Sequence, residues 1–168
     1  MKHKYYVFIC MLQCGYIWNG ITHDLSKFSP AEFITSVKYY QGSRSPIEAE
    51  KEEKGYSDVW LHHKSHNKHH SQYWIDFSFG VINPCKMPYK YIVESVCDTI
   101  GAGKSYMGKD WSIKEPFKWW LKRDCYSIFH PHTRIILFRI YRDIYFEGWN
   151  KVSKKLKSNY YKNIYENI

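Results

Sequence analysis

The chain has 168 residues, 44% hydrophobic and 19% aromatic, with 25 Lys and Arg against 16 Asp and Glu. That is the size and makeup of one globular domain able to bury its own core, which excludes a disordered chain and a disulfide-stapled miniprotein. The net charge of +9, counting histidine as neutral, draws phosphates, nucleotides or nucleic acid to the surface.

The first segment, "MKHKYYVFICMLQCGYIW", starts basic and turns apolar as a secretion signal does. Gln13 breaks the run, tyrosines crowd it and it lacks a small-residue cleavage site. It is also too short to cross a bilayer, so it reads as a buried first helix. "SPAE" has the form of a capping box, with Ser29 as N-cap, Pro30 at the first helical position and Glu32 reaching back. "SPIE", Ser45 to Glu48, repeats it. Ser57, after Gly55, caps a further helix through "DVWLHHKSHNKHH". In "MPYKYIVESVCDTIG", Pro88 marks a helix start and Gly101 a stop. "PFKWWLKRDCYSIFH" and "PHTRIILFRIYRDIYFEGW" read as two helices split by Pro131. The closing "KVSKKLKSNYYKNIYENI" is polar and basic, a solvated terminal helix or a frayed tail. No segment shows strand alternation with hairpin turns. The expected fold is all-α: a single-domain helical bundle of six to seven helices over residues 1–150, followed by a basic helix or tail over 151–168.

Five cysteines, Cys10, Cys14, Cys85, Cys97 and Cys125, have no regular spacing and no CxxC. That argues against a disulfide framework and a zinc knuckle, and for a reducing, cytoplasmic compartment. "GAGKS", Gly101 to Ser105, imitates a phosphate-binding loop. Asp98 stands where the loop needs glycine, and no strand precedes it.

Histidine carries the strongest signal. "LHHKSHNKHH" holds five of the chain's nine histidines. On a helix over 58–71, His63, Asn67 and His70 fall on one stripe with Trp60, and His62, His66 and His69 on the next. Imidazoles one or two turns apart can converge on a metal. His63 and His70, then His69, are the preferred ligands, with Asn67 placed to orient them; His62 and His66 are weaker candidates. Upstream, "THDLSKFSP" sets His23 beside Asp24, with Lys27 three residues on. Lys27 supplies a cation suited to a phosphate. His3 precedes this pair, and Asp98 follows on the helix that carries Glu94 one turn earlier.

The order His3, His23–Asp24, histidine cluster, Asp98 resembles the HD superfamily of metal-dependent phosphohydrolases. The resemblance implies an all-helical fold with His3, His23, Asp24 and Asp98 as metal ligands. The added histidines are similar to those of members that hold two metals. "HDLSK" resembles the "HDIGK" of the HD-GYP phosphodiesterases, in which the lysine faces the substrate phosphate, but the chain lacks "GYP", so cyclic dinucleotide specificity is not implied. A closer likeness is to small, largely uncharacterised bacterial and phage proteins sharing "HDLSKFSPAEF", "HHxxxNxHHxxYW" and a later "ExxxD". Here these read His23–Phe33, His62–Trp74 and Glu94–Asp98.

The expectation is therefore a metal-dependent phosphoric ester hydrolase. Its metal ligands are His3, His23, Asp24, His63, His69, His70 and Asp98. Its catalytic groups are Asp24, Lys27 and Glu94, the last as general base or as an acceptor behind the ligands. It takes one or two divalent ions, Mn, Fe, Zn or Mg, and acts on a phosphorylated small molecule or nucleotide. Nucleic acid is not favoured, no membrane is involved, and a homodimer is compatible. The alternatives are a di-iron oxygenase acting on a polyol or phosphonate, and a metal-stabilised binding protein with no catalysis.

Overall fold

A computed structural model describes residues 2–42, 44–122 and 128–168. The chain is one predominantly helical domain. In chain order the helices are α1 (Lys2–Gln13), α2 (Ile17–Thr22), α3 (Pro30–Lys38), α4 (Pro46–Lys54), α5 (Asp58–His66), α6 (Tyr89–Met107), α7 (Glu115–Lys122), α8 (Pro131–Glu147), α9 (Trp149–Lys157) and α10 (Tyr160–Glu166). Short 3-10 turns cover Leu25–Phe28, Ser71–Trp74 and Gly108–Asp110. The ten α-helices among the described residues are shorter and more numerous than the expected six to seven, because glycines and caps interrupt the chain often.

α1 and α6 form the central pair. Val7, Cys10 and Met11 of α1 meet Val93, Val96, Cys97 and Ile100 of α6, with Ile136, Ile140 and Ile144 of α8 completing the core. The first segment is thus a buried helix, as its apolar run suggests. Gly101, expected to stop α6, lies inside it. A Cβ there would sit 2.5 Å from Val7 Cγ2, so glycine serves the close approach of α1. "GAGKS" is therefore helical, not a loop. The helix runs on to Gly108, whose φ of 55° ends it.

Ser29 accepts a hydrogen bond from the Glu32 N–H, and Ser57 from the Trp60 N–H, as caps should. Only half of each predicted capping box forms. Ser45 accepts from Ile47 rather than Glu48, and the Glu32 side chain turns elsewhere. Buried Glu50 ties α4 to the start of α5 by accepting from Ser57 Oγ at 2.6 Å and the Val59 N–H at 3.3 Å.

Two features depart from the sequence reading. Ile75–Ser78 and Val81–Pro84 form an antiparallel hairpin. Its connecting Phe79 and Gly80 both have positive φ, as a type I′ turn requires. Residues 151–168 form neither a solvated helix nor a tail. Val152, Leu156, Tyr161 and Tyr165 are buried in the core. Tyr165 donates to the Met87 carbonyl at 2.7 Å and Tyr161 to Asp143 at 2.9 Å. The expected boundary at 150 falls within α9. The described cysteines, Cys10, Cys14, Cys85 and Cys97, are free. Cys125, with the middle of the "KRDCYS" stretch, lies outside the described residues. No helix among those described is long and apolar enough to cross a membrane.

Candidate metal centre

The site forms where α1, the α2–α3 connection, the end of α5 and the middle of α6 meet. His3 comes from the first turn of α1. His23 and Asp24 come from the turn after α2. Asp24 adopts φ 55°, in the left-handed region, so successive side chains leave the backbone in different directions. The Lys4 ammonium donates to the His23 carbonyl at 2.9 Å and pins this turn to α1. Asp98 and Glu94 sit one turn apart on α6.

Four donor atoms converge. His3 Nε2 lies 3.3 Å from His23 Nε2, 3.5 Å from Asp24 Oδ2 and 3.1 Å from Asp98 Oδ1. His23 Nε2 lies 3.3 Å from Asp24 Oδ2 and 3.4 Å from Asp98 Oδ1. Donors roughly 2.0–2.2 Å from a shared divalent ion stand about 3.0–3.6 Å from one another, so this spacing suits a metal. A second group uses the other oxygen of the same carboxylate. Asp24 Oδ1 lies 3.4 Å from His63 Nε2 and 3.6 Å from His69 Nε2, and His70 completes the set. Among the described residues, Asp24 Oδ1, His69 Nε2 and His70 Nε2 are buried without a hydrogen-bond partner. Each unsatisfied buried polar atom costs about 1–3 kcal/mol, and a cation is what would satisfy three converging acceptors. Both groups can hold a metal ion. All seven expected ligands fall in one group or the other.

The route by which the histidines meet differs from the predicted stripe. α5 ends at His66, and Asn67 is extended. His69 and His70 follow on a turn, so they reach His63 by reversing direction rather than by helical period. Asn67 caps the break, donating to the His63 carbonyl at 2.8 Å and to Ser26 Oγ at 2.6 Å. It therefore orients His63, and its hydrogen bonds among the described residues go to Ser26 and His63 rather than to His70. His62 and His66 stack on each other with ring centres 4.0 Å apart, outside both groups. His130 caps α8, accepting from the His132 N–H at 3.2 Å.

Behind the ligands stand two carboxylates. Glu94 Oε1 lies 3.0 Å from His23 Nδ1 and 3.2 Å from His69 Nδ1, and Oε2 accepts from Asn19 at 3.1 Å. Burial would raise Glu94, but the hydrogen bonds from His23 and His69 outweigh it and hold it at about 2. An ionised carboxylate only accepts, so both Nδ1 atoms carry protons and both Nε2 atoms face the donor groups. Both Glu94 oxygens are engaged, and with His23 and His69 its carboxylate forms a third group whose donor atoms lie close enough to share an ion. Glu32 holds His63 as Glu94 holds His23, with Oε2 2.9 Å from Nδ1, and its Oε1 holds His62 at 2.8 Å. Sequence reasoning missed this role because the capping box already accounted for Glu32. Asn19 gave no signal at all.

The groups differ electrostatically. Burial disfavours the His23 cation, yet hydrogen bonds to Asp98 and Glu94 and the charge of Asp24 raise it to about 9. His3 is also raised, against its burial, by Asp24 and Asp98. Asp24 and Asp98 are held well below the usual carboxylate range despite burial, by His3 and His23. His63 and His70 go the other way. Burial lowers both, and the charge of His69 adds to the effect at His70. Lys27 donates to Asp24 Oδ2 from a half-exposed position, which places its ammonium at the edge of the first group.

No curated protein and no solved structure matches the chain. The chain belongs to a family of unknown function, DUF5662, whose model matches residues 1–143.

Proposed function

We propose that the chain is a metal-dependent hydrolase of phosphoesters, acting on a phosphorylated small molecule or nucleotide. The observation that carries this reading is the division of one buried carboxylate between two donor groups: Asp24 Oδ2 faces His3, His23 and Asp98, and Oδ1 faces His63, His69 and His70. Two ions so held would lower the pKa of a water and polarise a phosphoryl oxygen. The protein's own residues do the rest. Glu94 and Glu32 hold His23, His69 and His63 with Nε2 toward the donors. The low carboxylate pKa values keep Asp24 and Asp98 ionised as ligands. Lys27 brings a positive charge to the rim, where it can leave Asp24 for a phosphate oxygen. Mixed imidazole and carboxylate ligation favours Mn, Fe or Zn over Mg, which prefers oxygen. The likeness of the His3, His23–Asp24, Asp98 order to the HD superfamily supports the same chemistry.

Five imidazoles beside two carboxylates also suit a di-iron oxygenase. One experiment separates the two. Metal content is measured on untagged protein, wild type beside His23→Ala/Asp24→Ala, and the metal-loaded protein is then given phosphoesters without oxygen. Two equivalents of metal, lost in the variant, with anaerobic phosphate release in Mn support the hydrolase. Turnover that requires Fe and O₂ replaces it with the oxygenase. No metal uptake from Mn, Fe or Zn sinks both and leaves a binding protein.

A further inference from the structure

A cleft of about 520 Å³ opens directly off the donor groups, with His69, His70 and Asp98 in its lining. Its floor is one face of α6, on which Asp98, Ala102 and Tyr106 recur every four residues. Its far walls are indoles, Trp111 from the loop after α6 and Trp119 from α7. The donor end carries the Asp98 carboxylate and imidazole nitrogens that have no hydrogen-bond partner among the described residues, with the Trp60 indole 4.9 Å from the His70 ring. Beyond it Trp111, Trp119 and Trp120 form aromatic walls beside Glu115 and Lys118.

The floor is kept low by small residues. Ala102 projects a single methyl group. At Gly103 a Cβ would fall 2.5 Å from Trp111 Nε1, so the absence of a side chain is what lets this indole settle against α6. Lys104 lies 4.9 Å from the centre of the Trp111 ring and braces it from the outside. From Asp98 to Gly103, where the Trp111 indole rests, the helix advances roughly 7.5 Å at 1.5 Å per residue. A group seated on the donors would place anything stacked on that indole about one and a half helical turns away.

We propose that this cleft seats the organic part of the substrate, and that it selects phosphoesters bearing a flat aromatic ring about one and a half helical turns from the phosphorus. A nucleoside monophosphate has that reach. A phenyl ester holds its ring too close, and a sugar phosphate has no ring to stack. The inference rests on the hydrolase reading for the seat of the phosphate, whereas the indole walls stand independently of any reaction. Stacking on aromatic side chains tolerates any base, because every base has a π face, so the cleft sorts by shape and length more than by base identity.

The test is calorimetric titration of Mn-loaded protein with adenosine 5′-monophosphate, ribose 5-phosphate and phenyl phosphate, with phosphate release assayed on the same samples. The expected result is at least tenfold tighter binding of the nucleotide than of either other ester. Ala102→Phe, which fills the floor, brings that advantage to within twofold. Trp119→Ala, which removes a half-exposed wall, does the same and decides the matter should Ala102→Phe fail to fold by circular dichroism. Equal affinity for the three esters overturns the proposal, as does a nucleotide advantage that survives the folded variants. A nucleotide advantage lost in the variants without phosphate release keeps the cleft assignment and sinks the hydrolase. Phosphate release from all three esters at equal affinity does the reverse.

Discussion

The two donor groups share Asp24 but sit in different electrical surroundings. The group of His3, His23, Asp24 and Asp98 has two carboxylates and two imidazoles with raised proton affinity, so without a metal it satisfies itself with protons. The group of Asp24, His63, His69 and His70 has one shared carboxylate, and the proton affinities of His63 and His70 are lowered by burial. It leaves Asp24 Oδ1, His69 Nε2 and His70 Nε2 without a hydrogen-bond partner among the described residues. The first group must give up protons to take a cation, whereas in the second burial already disfavours the protonated forms of His63 and His70. Proximity of histidines alone therefore does not define a metal site. The carboxylate count around them decides whether protons or metal ions hold it.

Asp24→Asn strikes what the groups share and has the largest expected effect, the loss of both equivalents of bound metal by elemental analysis. Asparagine suits this test because it tolerates the left-handed backbone at position 24, where alanine adds a conformational penalty of about 1–2 kcal/mol. Retention of both ions in Asp24→Asn would break the shared-carboxylate picture. Asp98→Asn and His70→Ala come next and separate the groups. Each is expected to lose one equivalent and keep the other. Loss of both in either variant would show a single site.

The carboxylates behind the ligands follow. Removing such a partner typically lowers metal affinity about 10–100-fold. Glu94→Gln is expected to weaken both equivalents, since Glu94 holds His23 and His69, while Glu32→Gln weakens only the group containing His63. Competition with a chelator reads both. Equal profiles for the two variants would contradict the division.

The smallest effect is on the stability of the metal-free chain with pH. His23, raised from 6.5 to about 9, contributes stability that is complete below 6.5 and fades as pH rises through 9. Glu94, lowered from 4.5 to about 2, contributes stability present above 4.5 and lost as pH falls toward 2. His63 and His70, lowered from 6.5, add stability above that pH and lose it below. The urea midpoint of His23→Gln should thus fall less than that of the wild type between pH 6.5 and 9.5. An unchanged slope would remove His23 from the account. With metal the upper limb reverses, because affinity rises as His23 sheds its proton.

Much of this was legible in the sequence because chemistry-bearing residues are rare and their types are specific. The adjacency of His23 and Asp24 with Lys27 downstream, the crowding of His62 to His70, and Asp98 on a long apolar helix all pointed to one place. The caps at Ser29 and Ser57 were readable for the same reason, since few side chains can serve the exposed N–H groups of a helix start. What escaped was long-range. Glu32 had a local explanation in its capping box, and its actual partners are 30 and 31 residues away. His69 and His70 join His63 through a helix end that periodicity could not show, and only Asn67, a poor helix former, hinted at it. The hairpin was hidden because its strands are exposed on both faces, so no alternation marked them. In the last segment, lysines masked the apolar stripe of Val152, Leu156, Tyr161 and Tyr165. Gly101 misled for the opposite reason, being punctuation in the sequence and a contact in the fold.

That last segment bears on how the site is made. Tyr165 holds the Met87 carbonyl just before α6, and Thr133 bonds both Tyr165 and the Met87 N–H. α6 carries Glu94 and Asp98, yet the residues that fasten its start come from the far end of the sequence. During synthesis, domains fold as units once their parts are available. Every donor residue leaves the ribosome well before Tyr165 does, so the two donor groups are expected to reach their folded spacing only after α10 has emerged.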